Sequence, residues 1–195
     1  MATVTPHKVV FGLKKVHYAV LTEDADGTIT YATPVAFPGA VNLALNQSGD
    51  MVEFYADDIS YWQTSTNNGY EGTYEAAEIP SNFALDVLGE VEDAKKVQFE
   101  IADAQPKRFA LLAEFDTDQL KKRICLYNCV CQRPGIGGQT SNNTKTPETK
   151  TLNITARPIE IDEKFIVKAS TKEDTDETTY NGWFSAVPMY TAVGG

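Results

Sequence analysis

Apolar and polar residues alternate along much of the chain, which is typical of strands that bury one face. Segment 41–46 alternates Val, Leu and Leu with Asn, Ala and Asn, and segment 69–79 carries tyrosines on one face and glutamates on the other. Segments 109–115 and 124–130 are apolar on both faces, as strands covered on both sides are. The strands that this pattern predicts are 17–22, 41–46, 69–79, 109–115, 124–130, 149–158, 164–169 and 180–187.

One segment has the pattern of a short amphipathic helix. After Pro80, apolar residues recur over 81–88 at the three- and four-residue spacing of a helix face. Ser81 can cap the free N–H groups of the first turn, and Gly89 can adopt the left-handed conformation that ends a helix. A helix this short is not stable alone and must pack on a sheet. The expected fold class is therefore mainly β, with one short packed α-helix. The high content of Thr, Val and Ile, about a quarter of the chain, agrees with it.

Two segments are expected to be long loops. Segment 133–150 is rich in Gly, Asn and Pro, which are turn-forming residues. Segment 47–69 is ambiguous, because 51–56 alternates like a strand whereas 64–69 is a cluster of turn residues. A long loop in a compact domain is usually functional or disordered, so both segments are candidates for contact with a partner.

The length of 195 residues fits a single domain, 1–195. Its ends are expected to form an N-terminal arm, 1–10, and a C-terminal tail, 189–195, which fray unless a partner holds them. The formal net charge of −10 argues against tight binding of nucleic acid or anionic membranes, since both need clustered cations. No apolar segment approaches the roughly 20 residues of a membrane span. No membrane anchor is expected, and the expected compartment is the cytoplasm or whatever assembles there.

No catalytic constellation is recognisable in the sequence. His7 and His17 have no local nucleophile and orienting acid beside them, as a Ser–His or Cys–His system requires. Cys125, Cys129 and Cys131 are the best metal candidates and would share one face of a strand. The first and last would then lie about 20 Å apart, too far for one zinc ion. The three are interpreted as buried free thiols. No catalytic, metal or cofactor residue is assigned, and the chain is expected not to be an enzyme.

Several short motifs follow one another in a distinctive order. Phe-Gly-Leu-Lys-Lys-Val-His-Tyr stands at 11–18, Tyr-Ala-Asp at 55–57, Leu-Gly at 88–89 and Tyr-Asn-Gly-Trp-Phe at 180–184. Together they resemble the major tail proteins, which are the tail-tube subunits of long non-contractile-tailed bacteriophages. The positions that carry the resemblance are Gly12, Leu13, Lys14, Val16, Tyr18, Tyr55, Ala56, Asp57, Leu88, Gly89 and Trp183.

The resemblance implies a β-sandwich or half-barrel tail-tube fold and a structural virion protein without a cofactor. Six copies would form a ring, and stacked rings would form a hollow tail tube. The tube would enclose the tape-measure protein and conduct double-stranded DNA into the host without binding it specifically. The implied partners are other copies of the chain, the tape-measure protein, and the tail-tip and tail-terminator proteins. The implied location is the virion, and the host cytoplasm during assembly.

Two hypotheses about surfaces follow from that role. Three acids of the acidic N-terminal part, Glu71, Glu75 and Glu78, would contribute to the lumen of the tube. They would repel phosphate there, because screening leaves charges effective over about 8 Å at physiological salt. Segments 47–69 and 133–150 would become ordered on contact with the next ring and contribute to stacking.

Other classes of protein remain open on the residues alone. The inner-tube subunit of a contractile injection system shares the architecture but needs an outer surface for a sheath. A monomeric carbohydrate-binding β-sandwich would use Trp62, Trp183 and the tyrosines to stack on sugars. A hydrolase with dispersed carboxylates is a further alternative. Self-assembly separates the two tube proteins from the monomeric carbohydrate-binding β-sandwich.

Overall fold

A computed structural model describes three stretches of the chain: 9–117, 120–138 and 148–191. Strands hold 51 % of these residues, most of them in one large antiparallel sheet, so the chain is mainly β as predicted. Four features expected from the sequence lie wholly or partly outside the described residues. They are His7, the arm at 1–10, the middle of segment 133–150 and the end of the tail at 189–195.

The described part of the chain contains fifteen strands and three short helical segments. The strands are β1 (Val10–Glu23), β2 (Ile29–Tyr31), β3 (Val35–Ala36), β4 (Ala40–Ser48), β5 (Met51–Ala56), β6 (Ile59–Ser65), β7 (Gly69–Ala76), β8 (Val91–Glu92), β9 (Gln98–Phe99), β10 (Phe109–Thr117), β11 (Lys122–Cys131), β12 (Lys150–Ala156), β13 (Ile159–Ile161), β14 (Lys164–Ile166) and β15 (Lys168–Ser170). The helical segments are α1 (Ser81–Phe83), a π-helical turn that directly follows it (Ala84–Leu88) and α2 (Glu177–Gly182).

The large sheet has the strand order β2-β1-β10-β11-β12-β7-β4, with β3 also paired to β1 and β15 to β11. Every pairing is antiparallel, and three two-stranded ribbons, β5–β6, β8–β9 and β13–β14, stand apart from it. β4 lies at one end of the order and still approaches β1. The sheet therefore curls on itself, and the apolar residues of its concave face meet across the curl.

The concave face holds the larger of two hydrophobic clusters. Phe109 and Leu111 point into it from the central strand β10, Tyr74 reaches it from β7, and the helical segment contributes Phe83 and Val87. The ring of Phe83 stands edge-on to that of Phe109, with centroids 5.5 Å apart. The helical segment thus fills the concave side of the curled sheet, and it is stabilised by packing, as its short length requires.

The opposite face of β10 is covered by the C-terminal part of the chain. Ala110 and Leu112 alternate with the residues of the first cluster and meet Trp183 and Val187 in a second cluster. Burial on both faces explains why segment 109–115 is apolar on both faces apart from Glu114. The predicted strands at 17–22, 41–46, 109–115 and 124–130 are confirmed within β1, β4, β10 and β11. Those predicted at 69–79 and 149–158 are confirmed as β7 and β12, which are shorter and end at Ala76 and Ala156.

The helix predicted at 81–88 is confirmed in extent, but its beginning differs from the prediction. Pro80, not Ser81, is the N-cap residue, and no side chain caps the first turn. Its second half widens into a π-helical turn that ends at Gly89, which is left-handed (φ 77°) and donates its N–H to the carbonyl oxygen of Ala84. Arg133 donates hydrogen bonds to the carbonyl oxygen of Leu88 and to two other loop carbonyls, so this side chain takes the place of further helical bonds.

Segment 47–69 is not a loop, which corrects the prediction. Its alternating part pairs with 59–65 to form the β5–β6 ribbon, and the turn residues at 64–69 join β6 to β7. In segment 133–150, the described residues 133–138 and 148–149 are irregular, and Lys150 begins β12.

The last predicted strand, 180–187, is wrong. Asp176 accepts a hydrogen bond from the N–H of Thr179 at 2.9 Å and caps α2, so the chain turns into a helix instead. The apolar residues that suggested a strand, Trp183 and Val187, pack down onto the sheet face and do not join its edge. The strand predicted at 164–169 is divided into β14 and β15, which pair with different partners.

The three thiols do not share one face, which corrects the expectation from strand parity. A bulge in β11 adds one residue between the pairs Leu111–Leu126 and Phe109–Cys129. Cys125 therefore points into the second cluster, whereas Cys129 and Cys131 point into the first. All three are free and buried, as interpreted from the sequence.

Candidate interaction surface

The most exposed structured part of the chain is the β5–β6 ribbon. It continues the β4–β7 pair, because Asn68 donates its N–H to Ser48 at 2.8 Å and Thr66 donates its N–H to Asp50 at 3.0 Å. Every residue of β5 and β6 except Ala56 is exposed. Six or seven residues per strand extend the ribbon by about 20 Å.

Two glycines permit the junction between the ribbon and the sheet. A Cβ atom on Gly49 would lie 2.0 Å from the carbonyl oxygen of Thr66. A Cβ atom on Gly69 would lie 1.9 Å from the carbonyl oxygen of Ala156, and Gly69 has a φ of +104°. Any larger residue would force the backbones apart, so the sequence fixes where the ribbon leaves the body.

The tip of the ribbon is a two-residue turn made of acids. Ala56 pairs with Ile59, and Asp57 and Asp58 between them have φ values of 53° and 62°. Positive φ at both central residues defines a type I′ turn, whose twist matches that of a hairpin. The Tyr-Ala-Asp motif of the family resemblance therefore lies at the far end of the ribbon.

The two faces of the ribbon differ in chemistry. On one face, Gln63 donates to Glu53 and Ser60, each at 3.0 Å, and Tyr55 donates to Glu53 at 2.5 Å. The hydrogen bond with Glu53 raises the pKa of Tyr55. The other face is mostly apolar and consists of Val52, Phe54, Ala56, Ile59 and Trp62, with Thr64 as its one polar residue.

The apolar face has no cover from the described part of its own chain. Phe54 is 58 %, Ile59 61 % and Trp62 53 % exposed. A two-stranded ribbon without a packed face is marginally stable in water. An exposed apolar face of this kind marks an interaction site.

The candidate lumen acids lie on or beside a second exposed surface, the convex side of β7. Glu71 and Glu75 point away from the core, among asparagines and threonines of the neighbouring strands β4 and β12. Glu71 pairs with Arg157 at 2.5 Å, and Thr149 donates a hydrogen bond to Glu75. Glu78 is exposed but follows the end of β7, so it does not share this face.

Most of the other positions that carry the resemblance serve packing. Val16, Tyr18, Leu88 and Trp183 are buried, Leu13 is partly buried against the larger cluster, and Gly89 ends the helix. Tyr18 donates a hydrogen bond to Asp86 at 2.9 Å. Trp183 donates to the carbonyl oxygen of Ile124 at 3.3 Å, and its burial removes it as a platform for sugars.

A charged cluster that the sequence analysis missed lies at the ends of β1, β10 and β11. Glu114 has no exposed surface and accepts a hydrogen bond from Arg123 at 2.8 Å, while Lys15 and Lys121 lie 3.4 and 3.6 Å from it. Burial favours a raised pKa for Glu114, but the Arg123 hydrogen bond and the nearby cations outweigh it and lower the pKa. The signal of this cluster in the sequence was the pairs Lys14-Lys15 and Lys121-Lys122, which become neighbours only when the chain folds.

Arg123 also ties the C-terminal part of the chain to this cluster. Its guanidinium lies 3.8 Å from the centroid of the Tyr180 ring and donates to the Tyr180 carbonyl oxygen. The backbone N–H of Arg123 donates to the hydroxyl oxygen of Thr171 at 2.8 Å. His17, a candidate from the sequence, stacks on Phe184 with ring centroids 4.6 Å apart, and its Nδ1 donates to the Lys15 carbonyl oxygen. These contacts hold the fold together and do not assemble a nucleophile and base.

Comparison with models of protein families and with curated proteins finds no match to this chain. Among residues 9–117, 120–138 and 148–191, no group of three or more His, Cys, Asp and Glu side chains could hold a metal ion. In the same part of the chain, no helix is long and apolar enough to span a membrane. The function is therefore argued from the exposed surfaces.

Proposed function

We propose that the chain is a structural subunit of a phage tail tube, which assembles with copies of itself into stacked hexameric rings. The tube encloses the tape-measure protein, is bounded by tail-tip and tail-terminator proteins, and conducts double-stranded DNA into the host. It is built in the host cytoplasm and remains in the virion. The observation that carries the proposal is the exposed, half-apolar β5–β6 ribbon.

The ribbon supports self-assembly because its apolar face needs a partner and its length reaches beyond the subunit. Full burial of one large apolar side chain contributes roughly 1.5–3 kcal/mol, and Phe54, Ile59 and Trp62 are all available. If the ribbon docks on a different surface of the next copy, the contact is heterologous, and such contacts produce rings or filaments. A tube of stacked rings is closed around its axis like a ring and extends along its axis like a filament.

Open sheet edges support the same proposal. Among the described residues, no strand pairs with the outer edge of β4, and residues 10–15 of β1 pair with β10 alone. Long unpaired edges invite uncontrolled association. Closure of a ring would pair such edges with neighbouring copies and leave few of them free.

The polar convex face of β7 is the candidate lining of the lumen. Arg157 offsets the charge of Glu71, so Glu75 would supply most of the repulsion toward DNA phosphates from this face, and the exposed Glu78 would add to it from beyond the end of β7. Replacing Glu75 and Glu78 by lysine should leave tubes intact and slow genome delivery, measured as infectivity of complemented phage with normal tails. Unchanged infectivity would contradict the lumen assignment without touching assembly.

The proposal is tested by negative-stain electron microscopy of the purified chain over a concentration series. We expect hollow tubes or rings of uniform width. The double variant Phe54→Ser, Trp62→Ser should remain monomeric, whereas the control Phe165→Ser, at a still more exposed phenylalanine of β14 (77 %), should assemble like the wild type. A wild-type chain that stays monomeric throughout the series, alone and co-expressed with tail-tip proteins, would overturn the proposal.

The carbohydrate-binding alternative has one supporting observation, the exposed Trp62 beside Phe54. It requires a monomer that binds oligosaccharides and loses that binding in Trp62→Ala. The inner tube of a contractile injection system would give the same tubes, and a sheath protein that co-sediments with them would favour it.

A further inference from the structure

The acidic tip of the ribbon has a complementary surface on the chain itself. Resting on the proposed function, we propose that Asp57 and Asp58 of one copy dock into a lysine-flanked groove beside β1 of the next copy. The groove is defined by residues 13–17 of β1 and by residues 36–40, which lead into β4. This groove is thus the surface that would receive the ribbon tip, and its lysines would bind the two carboxylates.

The groove exists because β1 is irregular at this point. The pairing of β1 with β10 shifts register twice, between Phe11 and Leu13 and again between Lys14 and His17. Gly12 and Lys15 adopt φ values of 64° and 46° at these bulges. Bulges bend a strand and end its regular pairing, and here they open a groove of about 490 Å³ beside Phe37. A volume of this size, within the roughly 300–1,000 Å³ of ligand pockets, admits a few side chains.

The surroundings of the groove carry an excess of positive charge. Among the described residues, the ion pairs of Lys14, Lys15, Lys121 and Arg123 involve two carboxylates, those of Glu114 and Asp116. The described part of this cluster is therefore richer in cations than in carboxylates, although the whole chain has a net charge of −10. The ammonium groups of Lys14 and Lys15 belong to side chains that are 57 % and 53 % exposed. They remain accessible to an incoming anion.

The tip provides the matching charge and shape. Asp57 and Asp58 add two negative charges at the narrowest point of the ribbon, and Ala56 and Ile59 flank them. A two-residue turn is narrow enough to enter the groove. The apolar residues Ala56 and Ile59 beside the turn would then contact Leu13 and the wall of the groove at Phe37. Opposite charges steer such a contact and select its register more than they add affinity.

A second acidic turn in the same chain serves as a matched control. Asp162 and Glu163 join β13 to β14 with φ values of 51° and 57°, the same geometry as the ribbon tip. Ile159 and Ile161 next to it are buried in the second hydrophobic cluster. This turn is exposed, but its strands are only three residues long and the hairpin is anchored by the two buried isoleucines, so we expect its charges to have no effect on assembly.

The contact is tested first by zero-length carbodiimide cross-linking of assembled protein. An equal mixture of ¹⁵N-labelled and unlabelled chains is assembled, treated and analysed by mass spectrometry. We expect amide links between the peptide of Asp57-Asp58 and the peptide of Lys14-Lys15, with mixed isotopic pairs that show the link to be between chains. Links from the tip to other lysines only, in protein that does form tubes, would overturn the inference and leave the proposed function standing.

A charge-removal cycle tests the energetics. Asn tolerates left-handed φ as Asp does, so Asp57→Asn with Asp58→Asn keeps the turn and removes the charge. We expect the concentration needed for tubes to rise about fivefold, the effect of two exposed ion pairs, and its dependence on salt to weaken. The control Asp162→Asn with Glu163→Gln should assemble like the wild type.

The groove is tested by Lys14→Gln, because the partner of Lys14, Asp116, keeps Lys121 nearby. Combined with the tip variant, its effect should be smaller than the sum of the two, as expected for groups in contact. Additive effects, or a tip variant that assembles at the wild-type concentration, would overturn the inference. A wild-type chain that never assembles and gives no inter-chain link would overturn it together with the proposed function.

Discussion

The central strand β10 and the β5–β6 ribbon are both antiparallel β-structure, yet they lie at opposite extremes of burial. Phe109 on β10 has no exposed surface, whereas Phe54 on the ribbon is 58 % exposed. The backbone groups are paired in both elements, so pairing alone does not explain what stabilises each of them. Strand β10 is stabilised by the two hydrophobic clusters of its own chain, whereas the ribbon packs on no such cluster. The ribbon is therefore the part of the chain whose apolar face the other described residues leave uncovered.

The largest expected effect separates the two phenylalanines. Phe109→Ala should lower the free energy of unfolding by about 3–5 kcal/mol, because it leaves a cavity at the centre of the larger cluster. Phe54→Ala should change the stability of the monomer by no more than about 0.5 kcal/mol. Urea denaturation of the two variants measures both values. Equal destabilisation would mean that the ribbon is already packed in the monomer.

The next effect concerns the buried charge beside β10. Glu114→Gln leaves Arg123 without its buried counter-ion, so unfolding should become easier by about 3 kcal/mol at pH 7. The folded state lowers the pKa of Glu114 below its ordinary value of 4.5. Its contribution to stability is therefore complete above that value and is lost as the pH falls through the lower pKa of the folded state.

Denaturation between pH 7 and pH 3 tests this dependence. The wild type should lose stability below about pH 4.5 more steeply than Glu114→Gln, which lacks the titrating group. Asp116 should contribute in the same direction in both proteins, since hydrogen bonding to Lys14 lowers its pKa. Parallel pH profiles for the two proteins would show that Glu114 is not a source of acid sensitivity.

The smallest effect sharpens the comparison at the ribbon tip. Asp58→Gly relieves a left-handed conformation that costs a non-glycine residue roughly 1 kcal/mol. Hydrogen exchange of the β5–β6 amides in the monomer should slow by up to about fivefold, while the amides of β10 should not change. Faster exchange in the ribbon of Asp58→Gly would mean that the Asp58 side chain, not the turn geometry, stabilises the hairpin.

The sequence predicted the strands that are buried against their own chain. In 109–115 and 149–158 the apolar period follows from burial that the domain itself provides. The segment 180–187 has a similar density of apolar residues, but the Asp176 cap and the packing of Trp183 turn it into helix and loop. Periodicity reports which residues are buried, and it does not report whether a segment joins the sheet or lies on it.

The interaction surface was harder to predict. The strand at 51–56 was visible, but a bulge breaks the alternation of its partner strand β6, which runs into the turn cluster at 64–69. The parity of the cysteines was lost at a single bulge in β11. The lysine-flanked groove depends on two further bulges in β1 and joins residues about a hundred positions apart, such as Lys15 and Lys121. Bulges leave no periodic trace, so these features had to come from the fold.

The buried thiols bear on how the protein withstands air. Burial raises the pKa of Cys131 to about 12, and the pKa values of Cys125 and Cys129 are raised as well. Because the thiolate is the species that reacts with oxidants, a thiol of pKa 12 presents only about one reactive molecule in a hundred thousand at pH 7. Particles made of this chain should keep reduced cysteines through long storage outside a cell. A single cysteine introduced on the ribbon would then be the one site that takes up a maleimide dye.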